Sequence, residues 1–93
     1  MDKINIMIVD DHKIFRDGLK LLFSHFSFID KVYEASNGRE FLDHVGELNP
    51  DIVLMDIMAR ERLSRDDLDD FKQKVQTNFS RKLVIRANII YIL

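Results

Sequence analysis

Three aspartates carry the chemistry open to this chain: Asp10, Asp11 and Asp56. Asp10 and Asp11 close a short apolar run (Ile4, Ile6, Met7, Ile8, Val9), and Asp56 closes a second, Ile52-Val53-Leu54-Met55. Continuous runs this short and rich in β-branched residues suit strands buried on both faces. An acid at the end of a buried strand needs a partner or a function. If the two strands are neighbours, the three carboxylates converge on one rim of a sheet. Close negative charges repel and raise one another's pKa values unless a cation is present. A hard divalent cation answers that need, and Mg²⁺ favours a few carboxylates together with waters and phosphate oxygens. Such a site can hold a phosphoryl donor beside a carboxylate nucleophile and neutralise the oxygens of the moving group. An Asp-Asp pair alone is a weak signal, because acids commonly cap helices. The signal gains weight from Asp56 at the equivalent end of another buried strand.

The elements that must position these acids follow from periodicity. After the first strand, with Asp11 as a plausible N-cap, Phe15, Leu19, Leu22 and Phe26 recur at helical spacing and form one apolar face. Gly18 on that helix reads as a point of close packing. A second strand covers residues 31–35. Asn37-Gly38-Arg39-Glu40 then reads as a capped helix start, with Phe41, Val45 and Leu48 as its stripe and Asn49-Pro50 as its stop. The third strand lies within residues 51–56. Residues 59–65 are polar and unpatterned. Ser64 with Asp67 resembles a capping box for a third helix carrying Leu68, Phe71, Val75 and Phe79. A fourth strand is read within residues 82–88. Strands alternating with helices over short connections imply a parallel sheet with helices on both faces. Ligands bind beyond the carboxyl ends of the strands in such sheets.

Composition bounds the function. With 93 residues the chain makes one domain, and a formal net charge of -2 provides no basic field to attract nucleic acid. Direct nucleic-acid binding by this chain is therefore not expected. Cys is absent, which removes disulfides and thiolate chemistry and suits a cytoplasmic setting. The first residues form neither a signal peptide nor a membrane span. No Gly-rich loop follows the first strand, which argues against a nucleotide site. His12, beside the acidic pair, reads as an exposed helix start rather than a metal ligand. His25, His44, Lys72 and Lys74 read as surface residues.

Ile4-Asn5-Ile6-Met7-Ile8-Val9-Asp10-Asp11-His12 and Phe15-Arg16-Asp17-Gly18-Leu19 closely resemble the opening of response regulators of the LuxR/NarL type. Pro50-Asp51-Ile52-Val53-Leu54-Met55-Asp56-Ile57 resembles the segment around their phosphorylated aspartate, at the separation that family uses. Ala35-Ser36-Asn37-Gly38-Arg39-Glu40 resembles its second strand-to-helix junction. The resemblance spans roughly residues 4–57. It implies a flavodoxin-like (CheY-like) doubly wound parallel α/β sheet, here incomplete, with about four strands and three helices. It also implies a receiver domain of two-component signal transduction, a phosphoacceptor rather than an enzyme. Asp56 then matches the residue that takes the phosphoryl group from a sensor histidine kinase. Asp10 and Asp11 match the acids that hold Mg²⁺ with it, and the backbone carbonyl of Met58 matches the group that completes the metal site.

The second half departs from the family. Ile57-Met58-Ala59-Arg60-Glu61-Arg62 lacks the Met-Pro pair and the Gly that usually follow the phosphorylated aspartate. Ala87 falls where the family's fourth strand ends in a Ser or Thr, and alanine cannot donate a hydrogen bond. The Lys that closes a fifth strand has no counterpart; Lys82 is the last lysine and falls at the start of the fourth strand. The whole chain, 1–93, is thus expected to be a single truncated receiver domain without an output domain. It is either a truncated or altered receiver or a genuine short variant. Phosphoryl acceptance on Asp56 is expected to be impaired, and the alternative function is a non-catalytic pseudo-receiver acting as a dimerisation or interaction module. Ile89-Ile90-Tyr91-Ile92-Leu93 has high β propensity and no charge. Uncharged apolar edges recruit further strands. A homo-oligomer through residues 82–93 is therefore expected, the alternative being that this tail folds back on its own core.

Overall fold

The computed structural model describes residues 3–78 and 83–87. Elements follow in the order β1 (Ile4–Val9), α1 (Lys13–Phe23), β2 (Ile29–Ala35), α2 (Gly38–Leu48), β3 (Ile52–Asp56), α3 (Ile57–Glu61), α4 (Arg65–Asn78) and β4 (Leu83–Ala87). The strands form one parallel sheet in the order β2-β1-β3-β4. The expected doubly wound sheet is therefore present.

Its two faces follow from the alternation of side chains along β1. Met7 and Val9 point to one side, where they join Ala35, Phe41, Leu42, Val45, Val53, Met55 and Phe71 under α2 and α4. Ile6 and Ile8 point to the other side, where they meet Leu19, Phe15 and Phe23 of α1. Met7, Ile8 and Val9 are each 0% exposed, as a central strand with both faces covered requires. Phe41 and Phe71 tie α2 to α4 with ring centroids 5.7 Å apart.

α2 shows how local sequence sets an element. Asn37 Oδ1 accepts the Glu40 N–H at 2.8 Å, which satisfies one orphan donor of the first turn. The Glu40 carboxylate reaches back to the Ser36 N–H at 3.1 Å and accepts the Ser36 hydroxyl at 2.6 Å. These hydrogen bonds from Ser36 hold the Glu40 carboxyl below its ordinary value. Asn49 ends the helix in the left-handed region, φ 47°, and its N–H returns to the Val45 carbonyl. At the start of α4 the Asp67 N–H donates to Ser64 Oγ at 3.2 Å, the cap expected there.

Several expectations are corrected. α1 stops at Phe23, so Phe26 lies beyond it, 40% exposed, and Leu22 is 47% exposed. The buried stripe is Phe15, Leu19 and Phe23 at uniform spacing of four. His12, not Asp11, is the N-cap residue of α1, and its side chain makes no cap bond. Gly18 has no neighbour within 4 Å of a Cβ built on it, so it marks no close approach. Residues 57–61, just before and inside the stretch read as unpatterned, form the extra short helix α3. It is held by packing rather than by a pattern of its own: Ala59 is buried, and Leu63 lies against the α2 side of the core. Lys74 does not stand free, because its ammonium donates to the Leu42 carbonyl of α2 at 2.8 Å. Residues 79 and 88–93, and the side chain at 75, lie outside the described part. Among the described residues no helix is long and apolar enough to cross a membrane.

The contact between α2 and α3 is tight at Gly38. A Cβ there would lie 2.6 Å from the Ala59 carbonyl oxygen and 2.8 Å from Leu63 Cδ2. Alanine in a helix is worth about 1 kcal/mol over glycine, and less at the first helical position. Overpacking against a backbone oxygen typically costs about 1–3 kcal/mol, so the clash wins. Gly38→Ala is expected to lower the urea midpoint of unfolding, whereas an unchanged or raised midpoint would mean that α3 gives way freely.

Candidate functional site

The sheet order places a topological switch between β1 and β3. β2 lies on one side of β1 and β3 on the other, which opens a crevice beyond their carboxyl ends. Val9 pairs with Met55, so the next residues along the two strands, Asp10 and Asp56, come out side by side. Asp10 is anchored there by its N–H to the Ala35 carbonyl at 3.0 Å. Arg16 of α1 donates to the Asp10 carbonyl at 2.6 Å and to the Glu34 carboxylate at 3.2 Å, tying this end of β1 to β2. Burial would raise the Glu34 carboxyl, but the hydrogen bonds from Lys20 and Arg16 outweigh it and hold the group below its ordinary value.

Carboxylate oxygens of Asp10, Asp11 and Asp56 and a ring nitrogen of His12 lie within 4.8 Å of one another. The structure thus brings together the three acids that the sequence singles out. Asp10 is 3% exposed and Asp56 9%. Asp56 Oδ1 accepts the Met58 N–H at 3.1 Å. No Lys, Arg or His forms an ion pair with Asp56 among the described residues. A buried carboxylate without a cationic partner is costly, and a bound metal is one of the few remedies. The oxygen donors on two buried and one accessible carboxylate suit a hard cation such as Mg²⁺.

Two basic side chains surround the outer acid. His12 Nδ1 stands 2.8 Å from Asp10 Oδ1 and 2.9 Å from Asp11 Oδ1. The hydrogen bond to Asp10, and then the charges of Asp11 and Asp10, push the imidazole above its ordinary value. Arg62 Nη1 donates to Asp11 Oδ2 at 2.8 Å. That bond, reinforced by the charges of His12 and Arg62, keeps the Asp11 carboxyl below its ordinary value against the opposing effect of burial. Repulsion within the cluster raises its carboxyls unless a cation is present; at Asp11 the Arg62 guanidinium, with His12, reverses the direction.

The Met58 carbonyl, to which the resemblance gave a place in the metal site, also accepts a helical hydrogen bond, which occupies one of its two lone pairs. α3 begins directly after Asp56, and its geometry brings the Arg62 N–H to the Met58 carbonyl at 3.1 Å. His12 is an exposed helix start, as expected, yet it also bridges the acidic pair, which its position alone did not reveal. No sequence signal marks Arg62, because six residues past Asp56 is no periodicity that points back to Asp11. Beside the acids a cavity of about 180 Å³ is bordered by Asp11, Asp56, Gly38, Arg39, Ala59 and Arg62. Finally, β4 pairs Ala87 with Asp56.

A family profile described as the response regulator receiver domain matches residues 6–62. The chain belongs to this receiver family. Among curated proteins it is 38% identical over 72 residues to the transcriptional regulatory protein YdfI of Bacillus subtilis, covering 77% of this chain and 34% of YdfI. It is 35% identical over 69 residues to the nitrate/nitrite response regulator protein NarL of Escherichia coli, covering 74% of this chain and 32% of NarL. The matches thus span about a third of these relatives' own length. Among solved structures, the isolated receiver domain of RcsB from Salmonella enterica serovar Typhimurium superposes with a TM-score of 0.70. There the identity is 17%, with 91% of this chain and 61% of that one covered. This last likeness speaks for the fold alone: a receiver fold in which the acids at 10, 11 and 56 sit at the switch point.

Proposed function

We propose that this receiver domain accepts a phosphoryl group on Asp56 from a sensor histidine kinase in a Mg²⁺-dependent reaction. The observation that carries the reading is the convergence of Asp10, Asp11 and Asp56 within 4.8 Å at the carboxyl rim of the sheet. Asp10, Asp11 and Asp56 would hold the metal, which supplies charge neutralisation to the phosphoryl oxygens when bound. Asp56 attacks the phosphorus of a phosphohistidine through a carboxylate oxygen. The new O–P bond forms as the P–N bond breaks, and the released imidazole takes a proton. The domain acts in this reading as an acceptor rather than as a turnover enzyme, in the cytoplasm. The test is incubation with Mg²⁺ and a small acyl phosphate, read by intact mass. A gain of one phosphoryl mass that needs Mg²⁺ supports the reading, and no gain under any condition refutes it.

A second reading is favoured by Ala87, which stands opposite Asp56 in the register of β4. Alanine offers no hydroxyl to a phosphoryl oxygen. Acceptance on Asp56 is thereby impaired, and in the limit the domain works as a pseudo-receiver whose task is association. The uncharged tail Ile89-Ile90-Tyr91-Ile92-Leu93 supports a homo-oligomer through residues 82–93. Removing residues 89–93 is expected to reduce the mass measured by light scattering to that of a monomer. A protein that is monomeric both before and after the deletion rules the tail interface out.

A further inference from the structure

Arg62 is a residue at this site to which the family resemblance gives no role. It lies just beyond α3, with its guanidinium on Asp11 Oδ2 at 2.8 Å, and it borders the same cavity as Asp56. Its side chain is 62% exposed, so water, ions and ligands reach it. The carboxylate it holds is also the most accessible of the three acids: the Asp11 side chain is 40% exposed, whereas Asp10 and Asp56 are buried. Any cation entering the cluster from solvent meets Asp11 first, and meets it already paired.

We propose that Arg62 is a tethered cation that competes with the metal for Asp11 and so sets the metal affinity of the site. The proposal rests on the reading of Asp10, Asp11 and Asp56 as a Mg²⁺ site. The guanidinium neutralises the outer acid while the metal is away, which lowers the repulsion felt by the two buried acids. For a divalent cation to use the Asp11 oxygen that Arg62 holds, the hydrogen bond must break and the guanidinium must move into the cavity or into solvent. Metal binding therefore loses the free energy of an exposed ion pair, which is small. Nothing else anchors the guanidinium: Asp11 is its one hydrogen-bonded partner among the described residues. It is free to leave, and in leaving it places a positive charge at the mouth of the cavity that Asp56 borders.

Arg39 provides an internal control. It borders the same cavity and carries the same charge, but its guanidinium is committed to Asp67 at 2.7 Å and Asp43 at 3.0 Å, away from the acidic cluster. Removing Arg39 changes the net charge near the cavity without freeing Asp11. His12 is the same in every variant, so its contact with the acids cancels in the comparison.

The experiment is a Mg²⁺ titration, followed calorimetrically, of the full chain as wild type, Arg62→Gln, Arg62→Ala and Arg39→Gln. Both Arg62 variants are expected to bind Mg²⁺ about two- to fivefold more tightly than wild type, the range that an exposed ion pair is worth. Arg39→Gln is expected to gain less than either. Equal affinity of the Arg62 variants and wild type, weaker binding by the Arg62 variants, or an equal gain in Arg39→Gln overturns the proposal while leaving the metal site intact. Absence of Mg²⁺ binding in all four proteins overturns the metal reading itself and this inference with it.

Discussion

Replacing Asp56 by Asn should abolish the phosphoryl adduct and at the same time make the domain more resistant to unfolding. The two effects share one cause. Asp56 is 9% exposed, stands in the cluster with Asp10 and Asp11, and has no ion-pair partner among the described residues. Its charge is what makes it a nucleophile and also what makes it costly to bury. Asparagine keeps the shape and keeps an oxygen to accept the Met58 N–H, so the fold has no reason to change. It offers the phosphorus no anionic oxygen, so adduct formation should fall to background. Loss of one buried charge that has no ion pair of its own should raise stability by about 1 kcal/mol, which in a domain of this size moves the Tm up by about 4–8 °C. Intact mass and thermal unfolding of the two proteins read both effects. An Asp56→Asn protein that still gains a phosphoryl group would place the acceptor elsewhere. One that melts lower would mean that the Asp56 charge is compensated in the fold.

The second large effect concerns the core that supports the site. Phe41 is 0% exposed, sits one turn into α2 and meets the Phe71 ring of α4 with centroids 5.7 Å apart. It is the largest fully buried side chain among those described. Truncating such a ring to alanine removes its transfer free energy and leaves a cavity, at a cost of about 3–5 kcal/mol. Stability in domains runs at about 0.05–0.15 kcal/mol per residue, or about 5–14 kcal/mol for a chain of this length. Phe41→Ala should therefore take away a large share of the total, seen as a steep drop in the urea midpoint or as loss of cooperative unfolding by circular dichroism. A loss below about 1 kcal/mol would show that α2 and α4 do not depend on this contact. The consequence for function is direct, because α2 carries Gly38 and Arg39 at the cavity and abuts α3, which follows Asp56.

The sequence was most legible where one local rule decides. β1 is read to the residue, since an apolar run bounded by two acids leaves little choice. Asn37 and Asn49 mark the two ends of α2 for separate reasons, a side-chain acceptor at one end and a left-handed backbone at the other. The convergence of Asp10 with Asp56 needs parallel strands in neighbouring positions; alternation of strands and helices implies the parallel sheet, and the sheet order supplies the adjacency of β1 and β3. Legibility fails where tertiary contacts decide. α1 can present Leu22 and Phe26 or Phe23 to the sheet on nearly equal spacing, and only the place where the helix ends selects Phe23. α3 has no stripe or cap of its own, and it forms where Ala59 and Leu63 can reach Gly38. The ion pairs of Asp11 with His12 and Arg62 join residues whose spacing follows no periodicity, and Arg62 is 51 positions away. Sequence spacing therefore offers Asp11 as a cap or a metal ligand but gives no sign that Arg62 holds it.

A Mg²⁺ titration of ¹⁵N-labelled protein, followed residue by residue in amide spectra, tests the central claim at its root. If one ion is shared by acids that come from different strands, the signals of positions 10, 11 and 56 must move together and saturate with a single dissociation constant. Signals at 10 and 11 that shift while 56 stays fixed, or no saturable change at any of them, would contradict the account.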